Sequence, residues 1–256
     1  MQPAWLVTGA ASGIGRELSL KLAARGERLV LWDRDASGLA QTRANCGAQC
    51  VHTEALDVVE AEAAQQAALR SVERAGPVLH AIHCAGILRV GPALAMPASD
   101  YRAMIEVNYL GTVHVALALV PYLLQTATPH KRARLSLVAS VAGLRSIPTL
   151  TGYSASKHAV VGFGRGLADE LYRDPIDIRV VCPPAVDTPM VRNLAELPAI
   201  YRLSPPQSVE RVASGILRGI ERPSVLTLLD AQSKLLWGLE RTFPSGVGWV
   251  VKRMSR

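Results

Sequence analysis

Trp5-Leu6-Val7-Thr8-Gly9-Ala10-Ala11-Ser12-Gly13-Ile14-Gly15 decides the fold. Its opening residues form a short apolar run, as a buried strand does. Glycines follow at once, and the pattern over 14–24 then predicts a helix. A strand, a tight turn and a helix start in that order aim the first helical amides at an anion. Gly9 permits the turn, Gly13 lets the backbone approach a pyrophosphate, and Gly15 lets the helix pack close on the strand. With Ser12 and Ile14, these glycines make a candidate phosphate-binding loop of a dinucleotide site.

The same alternation continues outward. Apolar, β-rich runs at 28–32, 51–56, 80–84, 135–139, 178–182 and 225–229 read as further strands. Stretches at 60–74, 100–124 and 153–172 read as helices. Continuous apolar strands separated by helices predict an α/β fold: a Rossmann-like, doubly wound parallel sheet of about seven strands with helices on both faces. No repeat or linker interrupts it, so one domain over 1–256 is expected. A lid at about 187–206 and a C-terminal tail at about 231–256 lie outside the alternation.

Composition narrows the function classes. The chain has 256 residues and is 49% hydrophobic, enough to bury a sizeable core. No run of 18 apolar residues and no secretory signal is visible, so a cytoplasmic location is expected. Cys46, Cys50, Cys84 and Cys182 lack disulfide-framework or zinc-site spacing and read as reduced thiols, with no metal site expected. The net charge of +7 could serve an anionic partner. Its basic residues are scattered, however. Lys131-Arg132-Ala133-Arg134, in an expected loop, is the tight cluster, and nucleic-acid binding is not expected.

Asp33 ends the second strand, eighteen residues after Gly15. A carboxylate there can accept both hydrogen bonds of a ribose diol and would repel a 2′-phosphate. That favours NAD over NADP. Arg34 opposes this, since a guanidinium can pair with a 2′-phosphate.

With these residues in place the chain resembles the short-chain dehydrogenase/reductase family. Gly9-x3-Gly13-x-Gly15 resembles that family's loop. Asp57-Val58 resembles its adenine-contacting pair. Cys84-Ala85-Gly86 resembles its Asn-Ala-Gly, with Cys84 in place of Asn. Asn108, Ser140 and Tyr153-Ser154-Ala155-Ser156-Lys157 match its helix asparagine, catalytic serine and Tyr-x-x-x-Lys. The resemblance runs from about 4 to 190. It implies Asn108, Ser140, Tyr153 and Lys157 as catalytic residues. It also implies cofactor contacts from Ala85, Gly86, Tyr153, Lys157, Pro183, Val186 and Thr188, and a homodimer or homotetramer. Pro183-Pro184 replaces the usual Pro-Gly, and the last strand lacks the Asp-Gly-Gly common in tetramers.

Tyr153 and Lys157 are four apart and share a helix face. A tyrosine near pKa 10 cannot act as a base at neutral pH; bringing it to about 7 takes roughly 4 kcal/mol. Lys157 and a positive nicotinamide ring are expected to supply it. Ser140 would bond the substrate oxygen, Lys157 the nicotinamide ribose, and Asn108 a water leading to solvent. The expected reaction interconverts an alcohol and a ketone.

Met190, Val191, Leu194, Leu197, Ile200, Tyr201 and Leu203 make the lid apolar, which suggests a lipid, steroid-like or terpenoid substrate. The loop from Pro183 to Pro189 is similar to that of 3-ketosphinganine reductases, whose NADPH conflicts with Asp33. The tail mixes Leu235, Leu236, Trp237, Leu239, Phe243, Trp249, Val250 and Val251 with Lys234, Arg241, Lys252, Arg253 and Arg256. A membrane-surface segment has that character, as does a cleft cover or dimer contact. A non-enzymatic dinucleotide sensor on the same fold is the alternative from another class. Epimerases and dehydratases carry a different glycine spacing.

Overall fold

The computed structural model describes residues 2–194, 196–202 and 204–254. Leu203 and Arg256 lie outside them, as do the side chains of Val250, Val251 and Lys252. Seven strands, β1 (Ala4–Thr8), β2 (Leu29–Asp33), β3 (Cys50–Ala55), β4 (Val78–His83), β5 (Ala133–Val138), β6 (Ile176–Cys182) and β7 (Leu226–Leu228), form one sheet in the order β3-β2-β1-β4-β5-β6-β7. Every neighbouring pair is parallel.

The helices are α1 (Gly13–Ala24), α2 (Ala36–Cys46), α3 (Ala61–Ala75), α4 (Ala98–Met104), α5 (Gly111–Thr126), α6 (Thr151–Glu170), α7 (Pro189–Arg192), α8 (Val209–Ile220), α9 (Ala231–Thr242) and α10 (Pro244–Met254). Strand side chains alternate between two cores, as a period of two requires. Leu6, Val30 and Trp32 face α3, α5 and α6. Val7, Leu29 and Leu31 face α1, α2 and α8.

Two expectations change here. Sequence reasoning passes over α2, whose buried residues are only Leu39, Thr42 and Cys46. Its ends carry the missing signal: Asp35 Oδ1 caps the amides of Ser37 and Gly38, and Gly47 closes the helix at φ +59°. The basic cluster is also not a free loop. Arg134 lies within β5, and Arg132 bonds Asp177 at 3.0 Å and two carbonyls.

α4 and α5 join through a π-helical segment, Ile105–Leu110, into one helix of 29 residues. By length and hydropathy it could cross a membrane. Here it packs on β4 and β5, burying Val115, Leu119 and Leu123. π-segments cluster at functional positions, and this one carries Asn108.

The lid has closed ends. Val186 bridges Gln207, Asp187 donates its amide to the Gln207 carbonyl, and Gln207 returns one to Ala185, both at 2.8 Å. Between them lie α7 and a 3-10 turn at Ala199–Arg202.

Candidate active site

The winding of the sheet reverses between β1 and β4, and an open parallel sheet binds its ligand in the crevice beyond such a pair. Thr8 and His83 end these strands with Oγ1 and Nδ1 2.8 Å apart. The same Thr8 oxygen accepts from the amides of Cys84 and Ala85. Burial pushes His83 down to about 3, so it is neutral at physiological pH and ties the two strands together. Thr8 escapes sequence reasoning because it reads only as the last residue of a strand.

The glycine loop sits in this crevice. At Gly9 φ is +66°, and a β-carbon there would lie 2.8 Å from the Ala85 nitrogen. One at Gly15 would lie 2.2 Å from the Gly9 carbonyl oxygen. Neither position admits a side chain. Gly9, Ser12, Gly13, Ile14 and Gly15 line a cleft of about 330 Å³, joined by Asp33, Arg34, Asp57, Val58, Ala85 and Gly86. That volume is within the range of small-molecule sites.

Asp33 accepts from the Ala11 amide through Oδ2 at 2.9 Å and from the Asp35 amide through Oδ1 at 3.0 Å. It thereby ties the glycine loop to the end of β2. Each oxygen retains a lone pair for a ribose hydroxyl. Arg34 turns toward Asp57, with 3.7 Å between guanidinium and carboxylate.

Ser140, Tyr153 and Lys157 meet in a second cavity beside the first, with Pro183 and Val186. These last two, expected among the dinucleotide contacts, therefore stand on the far side, away from the adenosine end. Thr188 lines both cavities. The Pro183 carbonyl accepts from the Val141 amide at 3.0 Å, joining the loop after β6 to the one after β5.

The Ser140 hydroxyl lines the same cavity as the Tyr153 phenol and accepts from the Ala142 amide at 3.1 Å. Burial drives the Tyr153 phenol well above its usual pKa, Ser140 draws it down, and Tyr201 and Cys182 push it up again. Sequence reasoning expects a lowered value. That expectation includes the charge of a bound oxidised nicotinamide; among the protein's own groups burial dominates, and Lys157 Nζ, 5.9 Å from the Tyr153 ring centroid, donates to the Val138 carbonyl at 3.0 Å. Lys157 is itself buried and pushed down to about 8, chiefly by desolvation.

Asn108 is fully buried, and its carboxamide is committed. Oδ1 accepts from the Ile87 amide at 2.7 Å, and Nδ2 donates to the Ile87 carbonyl and to Ser156 Oγ, both at 2.9 Å. The side chain thus shapes the loop after β4 and locks it to the turn of α6 that carries Lys157. Oδ1 accepts one bond here and keeps its second lone pair. Ser156, its partner, is the x of Tyr-x-x-x-Lys next to Lys157 and carries no signal of its own.

Residues 4–198 match the family model for short chain dehydrogenases. The chain belongs to the short-chain dehydrogenase family. It is 34% identical over 238 residues to 1-deoxy-11-beta-hydroxypentalenate dehydrogenase of Streptomyces avermitilis, covering 90% of this chain and 86% of that one. It is 31% identical over 254 residues to estradiol 17-beta-dehydrogenase 11 of Rattus norvegicus, covering 97% and 82%. Among solved structures, a short-chain dehydrogenase/reductase from Burkholderia phymatum in complex with NAD superposes with a TM-score of 0.83 at 26% identity, covering 94% and 93%. The protein is accordingly an oxidoreductase of CH–OH groups that uses a nicotinamide dinucleotide, and the side-chain-free glycine cradle beside Asp33 fits that cofactor.

Proposed function

We propose that this short-chain dehydrogenase interconverts a secondary alcohol and its ketone on an apolar, terpenoid- or steroid-like body, with NAD as its preferred cofactor. The observation that carries the substrate reading is the wall around Tyr153. Leu88, Leu150 and Val191 are buried there, and Val90, Ile147, Leu194 and Tyr201 pack against them. Beyond them an open groove of about 920 Å³ runs between the lid and the loop after β4. A mostly apolar cup with a few convergent polar groups orients a bulky hydrocarbon around one oxygen. The hydroxylated substrates named for the two curated relatives have that form.

In the oxidative direction Tyr153 takes the hydroxyl proton, while Ser140 bonds the substrate oxygen. Lys157 stabilises the phenolate through its charge. One of its three N–H groups goes to Val138, which leaves two for a ribose. A bound oxidised nicotinamide would supply the hydride acceptor and a further positive charge at the site. Both charges oppose the burial that raises Tyr153.

The NAD preference rests on charge. Asp33 and Asp57 both line the cleft, and Arg34 is already turned to Asp57, so a 2′-phosphate would meet net negative charge. The test is a screen of hydrophobic secondary alcohols with NAD and NADP in parallel, followed by reduced-nicotinamide absorbance. Wild type should prefer NAD by at least tenfold in kcat/KM, and Asp33→Ser should remove most of that preference. An NADP-preferring wild type overturns the assignment.

The tail supports a membrane-surface contact, with one correction. Trp237 packs against the core, whereas Leu235 and Leu239 of α9, Phe243 just beyond its end and Trp249 of α10 are exposed. Lys234 and Arg241 are exposed on α9, and Arg253 stacks on Trp249. Apolar side chains beside basic ones bind anionic lipid. The protein should co-sediment with phosphatidylserine vesicles and lose that binding in Leu239→Glu/Trp249→Glu. Sedimentation equal to that with neutral vesicles rejects the contact. Leu110 and Leu117 are likewise exposed on the helix 98–126 and support a homodimer, which a monomeric wild type in sedimentation velocity would reject.

A further inference from the structure

We propose that Arg145 and Glu240 are positioning residues through which the C-terminal helices hold Ser140 against Tyr153. Ser140 stands outside regular structure, between the end of β5 and a 3-10 turn, Val141–Gly143. What fixes it must therefore be found around the loop. On the inner side, the Val141 amide bonds Pro183, and a β-carbon at Gly143 would lie 2.6 Å from the Lys157 carbonyl oxygen. The turn is thus pressed directly onto the backbone of α6.

The outer side is made by residues 95 positions away. Arg145 Nη1 donates to both carboxylate oxygens of Glu240, at 2.6 and 2.8 Å, and about four-fifths of each side chain is withdrawn from solvent. Leu236 and Trp237 of α9 close against Val141 and Leu144. Arg145 Nη2 also reaches α10, lying 3.4 Å from where a β-carbon of Gly248 would sit. One guanidinium thus pairs with α9 and lies beside α10.

Arg145 is rigidly connected to Ser140. Gly143 donates to the Ser140 carbonyl at 2.9 Å, and Leu144 and Arg145 both donate to Val141, at 3.0 and 3.2 Å. A shift of Arg145 is carried to the serine hydroxyl through this turn. The partly buried geometry matters: breaking a pair of this kind leaves an uncompensated charge, so the helices and the turn separate together or not at all. The adjoining face of α9 carries exposed Leu235 and Leu239, so whatever covers that face bears on the active site through Glu240. This regulation rests on the oxidoreductase reading of Ser140 and Tyr153.

The experiment compares Glu240→Gln, Arg145→Glu and the swap Arg145→Glu/Glu240→Arg with wild type, in full-length protein. Glu240→Gln should lower kcat about tenfold with the KM for NAD unchanged, and the swap should recover most of the loss. The pH at half-maximal kcat/KM should also move upward by about one unit. Of the groups facing the phenol, Ser140 draws its pKa down, Lys157 lies on the same helix, and Cys182 and Tyr201 push it up from β6 and the lid. A serine that drifts away removes the downward pull. Hydrogen exchange at 140–145 reads the coupling without turnover: faster exchange in Glu240→Gln, restored in the swap, is expected. Unchanged exchange, or a kcat loss that the swap does not recover, overturns the proposal. An inactive Tyr153→Phe beside an unimpaired Glu240→Gln sinks the positioning role alone, whereas an active Tyr153→Phe sinks the mechanism beneath it.

Discussion

Tyr153→Phe is expected to lower kcat by about 10³-fold while leaving the Kd for NAD within twofold. Positioned proton transfer contributes factors of about 10² to 10⁴, and the histidine, thiols and second tyrosine around the site are poor replacements. His83 is held neutral and bonded to Thr8. Cys84 and Cys182 are thiols pushed up to about 12 by burial. Tyr201 has its own pKa raised by burial. The substitution deletes one oxygen and keeps the ring, so the packing of Tyr153 against Leu88, Leu150 and Val191 survives, and nearly volume-conserving changes are tolerated well. Steady-state kinetics on any alcohol turned over by wild type, with calorimetric titration of NAD, checks both halves. A variant retaining a tenth of wild-type kcat would place the proton transfer elsewhere.

Lys157→Met should abolish turnover and at the same time raise thermal stability. The ammonium is 5% exposed, bonded to the Val138 carbonyl and pushed down to about 8 by desolvation. The unfolded chain binds this proton more tightly than the folded one does, so folding below pH 8 works against the buried charge by about 3 kcal/mol. As pH rises from about 8 toward the ordinary lysine value, the folded protein no longer carries the charge and gains relative stability. Methionine removes the charge at every pH. It leaves the Val138 carbonyl without that donor, which offsets about 1 kcal/mol of the gain. A net 1–2 kcal/mol corresponds to a Tm increase of about 2–6 °C in a domain this large. Melting curves at pH 7 and pH 10 test the sign: the difference between variant and wild type should be large at pH 7 and shrink at pH 10. A Tm at pH 7 below that of wild type would mean the lysine stabilises the fold and was not retained at its expense.

These two residues show what could be read before folding. Tyr153 and Lys157 announce themselves by a spacing of four on a helix, and Gly9, Gly13 and Gly15 by their place between strand and helix. Both signals are local, and local periodicity also placed all seven strands to within a few residues. The rest depends on contacts that no short window holds. Asn108 was named, but its commitment to Ile87 and Ser156 requires the loop after β4, a π-helical segment and α6 to converge. Arg145 and Glu240 carry ordinary surface residue types and meet only across the folded chain. Trp237 reads in the sequence as one more apolar residue of the tail, and only the helix phase of α9 turns it inward. The burial that raises the Tyr153 phenol is likewise a property of the assembled cavity.

The closed base of the lid has an evolutionary consequence. Val186 and Gln207 meet in a bridge flanked by reciprocal amide bonds, so the twenty residues between them leave and rejoin the scaffold at one point. Such an insert can be lengthened, shortened or exchanged with little strain on the sheet. Transplanting residues 187–206 from a relative of different selectivity should therefore carry the substrate preference with it and leave the hydride chemistry in place. Diversification of this enzyme is then a matter of exchanging one cassette over a fixed reaction centre.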